Sequence, residues 1–196
     1  MNTRLLALVA FPLLLARPGH AQIVGFKGGV SVASASFRTS NTFASKNRTG
    51  FAGGMFLNLA LGPLSIQPEI SYADKGFNEA SGRGALKLGY LSGTGLVKLG
   101  IPLSVVKPSV FVGVAYGIRT KCQLDGVDCA SAGFETKKSE TSGVFGADLA
   151  IFVGGLSLWG DGRYVVSFDD VRASGGPFKD LKNRAWLFQA GFGFRI

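Results

Sequence analysis

The chain has 196 residues, 29 of them glycine and 16 phenylalanine, with 46% hydrophobic and only 17% charged residues and a formal net charge of +9. Glycine stands at about twice its usual ~7% share and charge well below the usual ~25%, which excludes a disordered chain; the lack of a regular glycine period excludes collagen. The Ala/Glu/Lys/Leu bias of a helical bundle is also missing, so glycine with aromatic residues points to strands.

The first 21 residues read as an address. Arg4 gives a positive start, Leu5 to Ala16 is a twelve-residue apolar run, and Gly19 and Ala21 flank His20 at the end of the segment. This is signal-peptide anatomy, with cleavage expected before Gln22 and one domain over 22–196. As a helix the run would span about 18 Å, short of the ~30 Å hydrocarbon core, so it does not serve as an anchor. Cleavage removes Arg4, Arg17 and His20, the one histidine of the chain. A mature chain without histidine has no Ser-His-Asp triad, Cys-His pair or imidazole ligand, so no catalytic residue, metal or cofactor is expected.

From Gln22 onward, period-two alternation recurs in eight segments. Val24 to Ala33 places Val24, Phe26, Val30 and Val32 opposite Gly25, Lys27, Gly29 and Ser31. Phe51 to Leu61 alternates Phe51, Met55, Leu57 and Leu59 with Ala52, Gly54, Phe56 and Asn58, and Gly62-Pro63 marks a tight turn. Leu64 to Ala73, Leu91 to Ile101, Val110 to Arg119 and Phe145 to Val153 repeat the pattern, as do Leu156 to Phe168 and Trp186 to Ile196. Lys27, Glu69, Lys98, Arg119, Asp148, Asp161, Arg163 and Arg195 all fall on the small-residue face, and the other face carries no charge in any of these segments. A one-residue slip would reverse any of these assignments, so their agreement is informative.

The gaps alternate too. Gly62-Pro63, Pro102 to Pro108 and Gly154-Gly155 are short, whereas Ser34 to Gly50, Asp74 to Tyr90, Thr120 to Ser142 and Asp169 to Ala185 are long and polar. Short turns at one end and long loops at the other predict an all-β fold, an eight-stranded antiparallel up-and-down transmembrane β-barrel of the bacterial outer membrane, closed because lipid satisfies no backbone group. Aromatic residues of the apolar face, among them Phe51, Tyr72, Tyr116, Phe145, Tyr164, Phe168, Trp186 and Phe188, gather toward the long loops as an interfacial girdle. The soluble rival is a lipocalin-like barrel with the apolar face inside and a ligand there; its outer surface would then be Gly, Ala and Ser with about one charge per strand.

SIQPEISYADKG (65–76), YLSGTGLVK (90–98), KPSVFVGVAYG (107–117) and LSLWGDGRYVVSF (156–168) resemble the PorT-like outer-membrane β-barrel family, as do the opening VGFKGGVSVASAS and the closing NRAWLFQAGFGFRI. The resemblance implies an integral outer-membrane protein and raises a role as an accessory of protein secretion. Two departures stand out: Ser92-Gly93-Thr94 replaces a common Glu-Ile-Pro, and Ile196 replaces the usual terminal Phe, although Phe192 and Phe194 keep the aromatic alternation that barrel-assembly machinery would read.

Six charges, Lys27, Glu69, Lys98, Asp148, Asp161 and Arg163, lie four to eight residues from the nearest short turn or terminus and should form one lumen belt of three acids and three bases. Pairing of Glu69 with Lys98, and of Asp148 or Asp161 with Arg163, is expected; an ion or proton path is the functional alternative. Phe56, Phe111, Phe152 and Trp159 share the inward parity and should plug the lumen. Cys122 and Cys129 enclose the turn-rich QLDGVD, and in an exported chain predict a disulfide. Arg38, Lys46, Arg48, Lys179, Lys182 and Arg184 sit above the girdle, within reach of lipopolysaccharide phosphates or as a solvated rim. No basic-aromatic constellation suggests nucleic acid. The expected function is a non-enzymatic outer-membrane barrel, structural or loop-binding in the cell envelope.

Overall fold

A computed structural model describes residues 22–36, 45–79, 85–131, 137–168 and 182–196. The expected signal peptide, 1–21, and the loop cations Arg38 and Lys179 lie outside the described residues. Eight long strands follow one another: β1 (Gln22–Ser36), β2 (Arg48–Leu61), β3 (Leu64–Glu79), β4 (Ala85–Gly100), β5 (Val106–Leu124), β6 (Ser139–Val153), β7 (Leu156–Ser167) and β8 (Lys182–Arg195). Each pairs antiparallel with its chain neighbours, and β1 pairs with β8 from Ile23 opposite Arg195 to Ser36 opposite Lys182, closing the sheet into a barrel. Two short pieces extend the sheet, Ser45–Lys46 against β3 and Val127–Asp128 against β5.

The faces are inverted relative to a protein folded in water. Val112 is 63% exposed, Ile70 58% and Phe51 56%, whereas Lys98 is 1% and Glu69 4% exposed. Large apolar side chains outside and charges inside require an apolar solvent around the barrel. The lipocalin-like alternative needs the opposite arrangement and is discarded.

Glycine explains how so narrow a lumen holds aromatic rings. A β-carbon on Gly25 would lie 2.4 Å from the Phe56 ring, and one on Gly146 2.8 Å from Phe111. Phe56 and Phe111 thus each occupy the space that a neighbouring strand leaves by omitting a side chain. Phe56 and Trp159 then meet edge to face at 5.1 Å near the short turns.

Three departures from the expected elements have physical causes. The short connection before β5 is 101–105, because Val106 to Pro108 already pair with Ile151 to Leu149 of β6. Inside β3, Pro68 lacks an N–H, and the ladder to β2 skips from Phe56 opposite Glu69 to Leu59 opposite Ile66. Parts of the expected long loops are sheet, most fully 74–79 and 85–90. β5 runs for nineteen residues; at ~3.3 Å each and a tilt near 40° it rises roughly 45–50 Å, against an apolar band ~25 Å tall. Because Leu61, Leu64, Leu103, Val153 and Leu156 keep the short-turn end apolar and exposed, the excess height stands above the girdle as a collar.

Candidate functional site

The belt is built from five strands. β1 supplies Lys27, β3 Glu69, β4 Lys98, β6 Asp148, and β7 Asp161 and Arg163, all on inward positions. The side chains of all six are under a tenth exposed. Lys27 Nζ donates to Glu69 Oε1 at 2.6 Å and to Asp161 Oδ2 at 3.0 Å. Arg163 spans both acids: Nη1 reaches Glu69 Oε2 at 2.7 Å, Nη2 reaches Glu69 Oε1 at 3.2 Å and Asp161 Oδ2 at 2.7 Å, and Nε reaches Asp161 Oδ1 at 3.0 Å. Such forked, charge-assisted bonding fixes the guanidinium in plane with its partners.

Lys98 forms an ion pair with Asp148. This corrects the expected Glu69–Lys98 pair. The β3–β4 register sets Glu69 opposite Thr94 and Lys98 opposite Ser65, four residues nearer the short turns. Gln67 fills the gap: its Oε1 accepts from Lys98 Nζ at 2.9 Å and from Asn58 Nδ2 at 3.0 Å, and its Nε2 donates to Glu69 Oε1 at 2.6 Å. Arg163 meets Asp161, one of its two expected partners, and not Asp148. Three acids and three bases thus join into one network with no net charge. Aromatic faces line the cations, with Lys98 4.4 Å from the Trp159 ring centre and Arg163 5.2 Å from that of Phe111.

Toward the collar the lumen is filled by Leu96, Phe111, Val144, Val165 and Leu187 with a set of alanines. Above them, apart from the belt, a further buried ion pair joins Lys75 of β3 to Glu140 of β6. Ser142 Oγ donates to Glu140 Oε1 at 2.9 Å, and Lys75 lies 5.1 Å from the centre of the Tyr90 ring. Sequence reasoning misses this pair, because it places both residues in long loops. The signal is present: 69, 71, 73 and 75, and 140, 142, 144 and 148, are each of one parity.

The collar is stapled at its top. Arg119 pairs with Tyr90 and Lys121 with Gly89, so Thr120 is an extra residue whose Oγ1 donates to the Gly89 carbonyl at 3.2 Å. This bulge reverses the facing of β5, turning Cys122 inward onto Leu86, Leu88 and Tyr90. Cys122 and Cys129 form a disulfide with Cα atoms 5.5 Å apart. Between them Asp125 and Gly126 adopt φ of 53° and 85°, as a two-residue hairpin turn needs. The Asp125 N–H donates to the Ala85 carbonyl at 2.9 Å, and its Oδ1 accepts from the Ala85 N–H at 2.7 Å, fastening the tip to β4.

Outside, a chain of rings crosses β6, β7 and β8: Phe145 to Tyr164 at 5.3 Å, Tyr164 to Trp186 at 5.0 Å, and Trp186 to Phe188 at 6.1 Å. A closed eight-stranded barrel with an apolar exterior, an aromatic girdle, short turns at one end and a raised collar at the other is an outer-membrane β-barrel. Solved structures agree in fold. The barrel aligns with Neisserial surface protein A at a TM-score of 0.57 and 12% identity, covering 88% of this chain and 97% of that one. It aligns with a major outer membrane protein of Thermus thermophilus at 0.53 and 15% (91% and 100% covered), and with outer membrane protein W of E. coli at 0.50 and 14% (92% and 100% covered). No family model and no curated protein sequence matches the chain.

Proposed function

We propose that this chain is a non-enzymatic integral protein of the bacterial outer membrane whose barrel carries a binding platform above the membrane. The collar supports this reading. A spanning strand needs about 9–11 residues, yet β3, β4 and β5 have 16, 16 and 19. Sheet continued past the girdle, pinned by the Lys75–Glu140 pair, the Leu86–Leu88–Tyr90 cluster and a disulfide, contributes nothing to spanning. It holds loop ends at fixed positions, which lowers the ordering cost of binding a partner. The charge belt is the frame that ties β1, β3 and β7 together, and β4 to β6, across the lumen. The exposed cations Arg184 and Lys121 have the charge to pair with lipopolysaccharide phosphates, and the aromatic alternation of Phe192 and Phe194 in β8 supports recognition of that strand by assembly machinery.

The test is to graft the collar strands and their loops onto a barrel of known inertness and compare binding to envelope and host-surface preparations. Binding that travels with the graft supports the platform; binding that stays with the original barrel wall refutes it. The segments resembling the PorT-like family support a second reading, an accessory of protein secretion. Deletion that blocks cargo export while the envelope stays intact would establish it.

A further inference from the structure

The opposite end of the lumen has chemistry that the platform reading does not use, and the inference drawn from it does not depend on that reading. Between the belt and the short turns lies a cavity of about 140 Å³. It exists because the lowest inward residues are small, Ala60, Ser65 and Ser109, while Trp159 and Phe152 wall one side. At roughly 30 Å³ per water it holds four or five water molecules, the size of one phosphate or carboxylate group with a little hydration.

Three cations line it, Lys98, Lys107 and Arg195, and no carboxylate does. Lys98 is matched by Asp148. Lys107 and Arg195 enter no ion pair among the described residues; the Lys107 ammonium has one long contact, 3.4 Å to the Gly62 carbonyl. Two cations outside any ion pair thus line a small, partly open space at the end of the lumen, where they raise the local concentration of anions. The wall is mainly apolar, and the polar residues Ser65, Ser109 and Arg195 among its lining carry donors of the kind that recognise oxyanions.

We infer that this cavity is a binding site for a small oxyanion, a phosphate or a carboxylate group. It opens at the end of the barrel that carries the chain terminus, so the anion is either free in the periplasm or is the end group of a longer molecule there. Lys107 and Arg195 are the specificity-determining pair, Ser65 and Ser109 orient the anion, and Trp159 reports its presence.

Trp159 makes the test direct, since the chain has one other tryptophan, Trp186, which is on the outer girdle. In the Trp186→Phe barrel, folded in micelles without the signal segment, Trp159 emission is followed while inorganic phosphate is added. A second titration uses a short peptide with a free C-terminus, and a third the same peptide amidated. The expected result is a saturable change in the millimolar range or below, up to about 10 mM, together with protection of Trp159 from iodide but not from acrylamide. The Lys107→Gln/Arg195→Gln variant should weaken it about tenfold or more, with Arg195→Gln alone as the check if the double variant does not fold; Lys137→Gln, at an exposed position before β6, should leave it unchanged. A response to phosphate assigns the site to phosphates, and one to the free but not the amidated peptide assigns it to carboxylates. No saturable response to either anion, or one that survives in the double variant, overturns the inference.

Discussion

Removing the carboxylate of Glu69 should be the most damaging single change in the lumen. Glu69 accepts four hydrogen bonds from three side chains: one each from Lys27 and Gln67 at 2.6 Å, and two from Arg163 at 2.7 and 3.2 Å. In Glu69→Ala, Lys27 and Arg163 are left to share Asp161, and the belt passes from neutral to a net positive charge that water can barely reach. Taking one partner out of a buried ionic network costs about 3–5 kcal/mol, because the other charges stay desolvated without compensation. The compensated variant Glu69→Gln/Lys27→Met removes one charge of each sign, leaves Arg163 with Asp161 and Lys98 with Asp148, and should recover at least half of that loss. Urea unfolding of the barrel in phospholipid vesicles, followed by tryptophan emission and by heat-dependent gel mobility, reads both. A loss below ~1 kcal/mol in Glu69→Ala, or no recovery in the double variant, would show that the belt does not act as one network.

Three further outcomes follow from the same geometry. Val112→Arg, on the lipid face near mid-height, should destabilise the folded barrel by ~2–4 kcal/mol in vesicle unfolding, whereas Ala115→Arg, three residues on and facing inward, should act through lumen crowding and be insensitive to lipid composition. Thiol labelling without reductant should find no free cysteine, and reduction should release about 2–3 kcal/mol of constraint, felt by hydrogen exchange in the 122–129 hairpin rather than in the barrel wall. Planar-bilayer recordings should show no stable channel, because Phe111, Leu96 and Leu187 close the lumen above the belt; porin-like conductance would refute that packing.

The facing of the strands is legible because each face repeats its own signal many times: an error at Lys27 would contradict Val24, Phe26 and Val30 in the same strand. What is not legible needs distances between strands. Register decides whether Glu69 meets Lys98, and nothing local to either strand encodes the four-residue offset that hands Lys98 to Asp148 and inserts Gln67. The ends of the strands are hidden for a different reason. Above the girdle the outer face meets water, so Asp74, Lys87 and Lys121 break the apolar alternation although the backbone ladder goes on. Lys75 and Glu140 look like loop charges for that reason. The bulge at Thr120 has no composition signal, yet it sets which way Cys122 points.

The seam between β1 and β8 governs how this molecule comes into being. Its partners, Ile23 and Arg195 among them, stand at opposite ends of the barrel in sequence, whereas every other seam joins neighbours in sequence. The seven hairpin pairings can form one after another as local events, but the last contact closes a loop of nearly the whole domain, with an entropy cost of roughly 4–5 kcal/mol beyond the fixed term. That contact cannot begin before β8 is delivered, and until it forms two strand edges lie open with their N–H and C=O groups unpaired in a medium that offers no substitute. The fourteen residues of β8 therefore act as a latch. A chain that lost them would keep most of its contacts and still have no stable place in a bilayer.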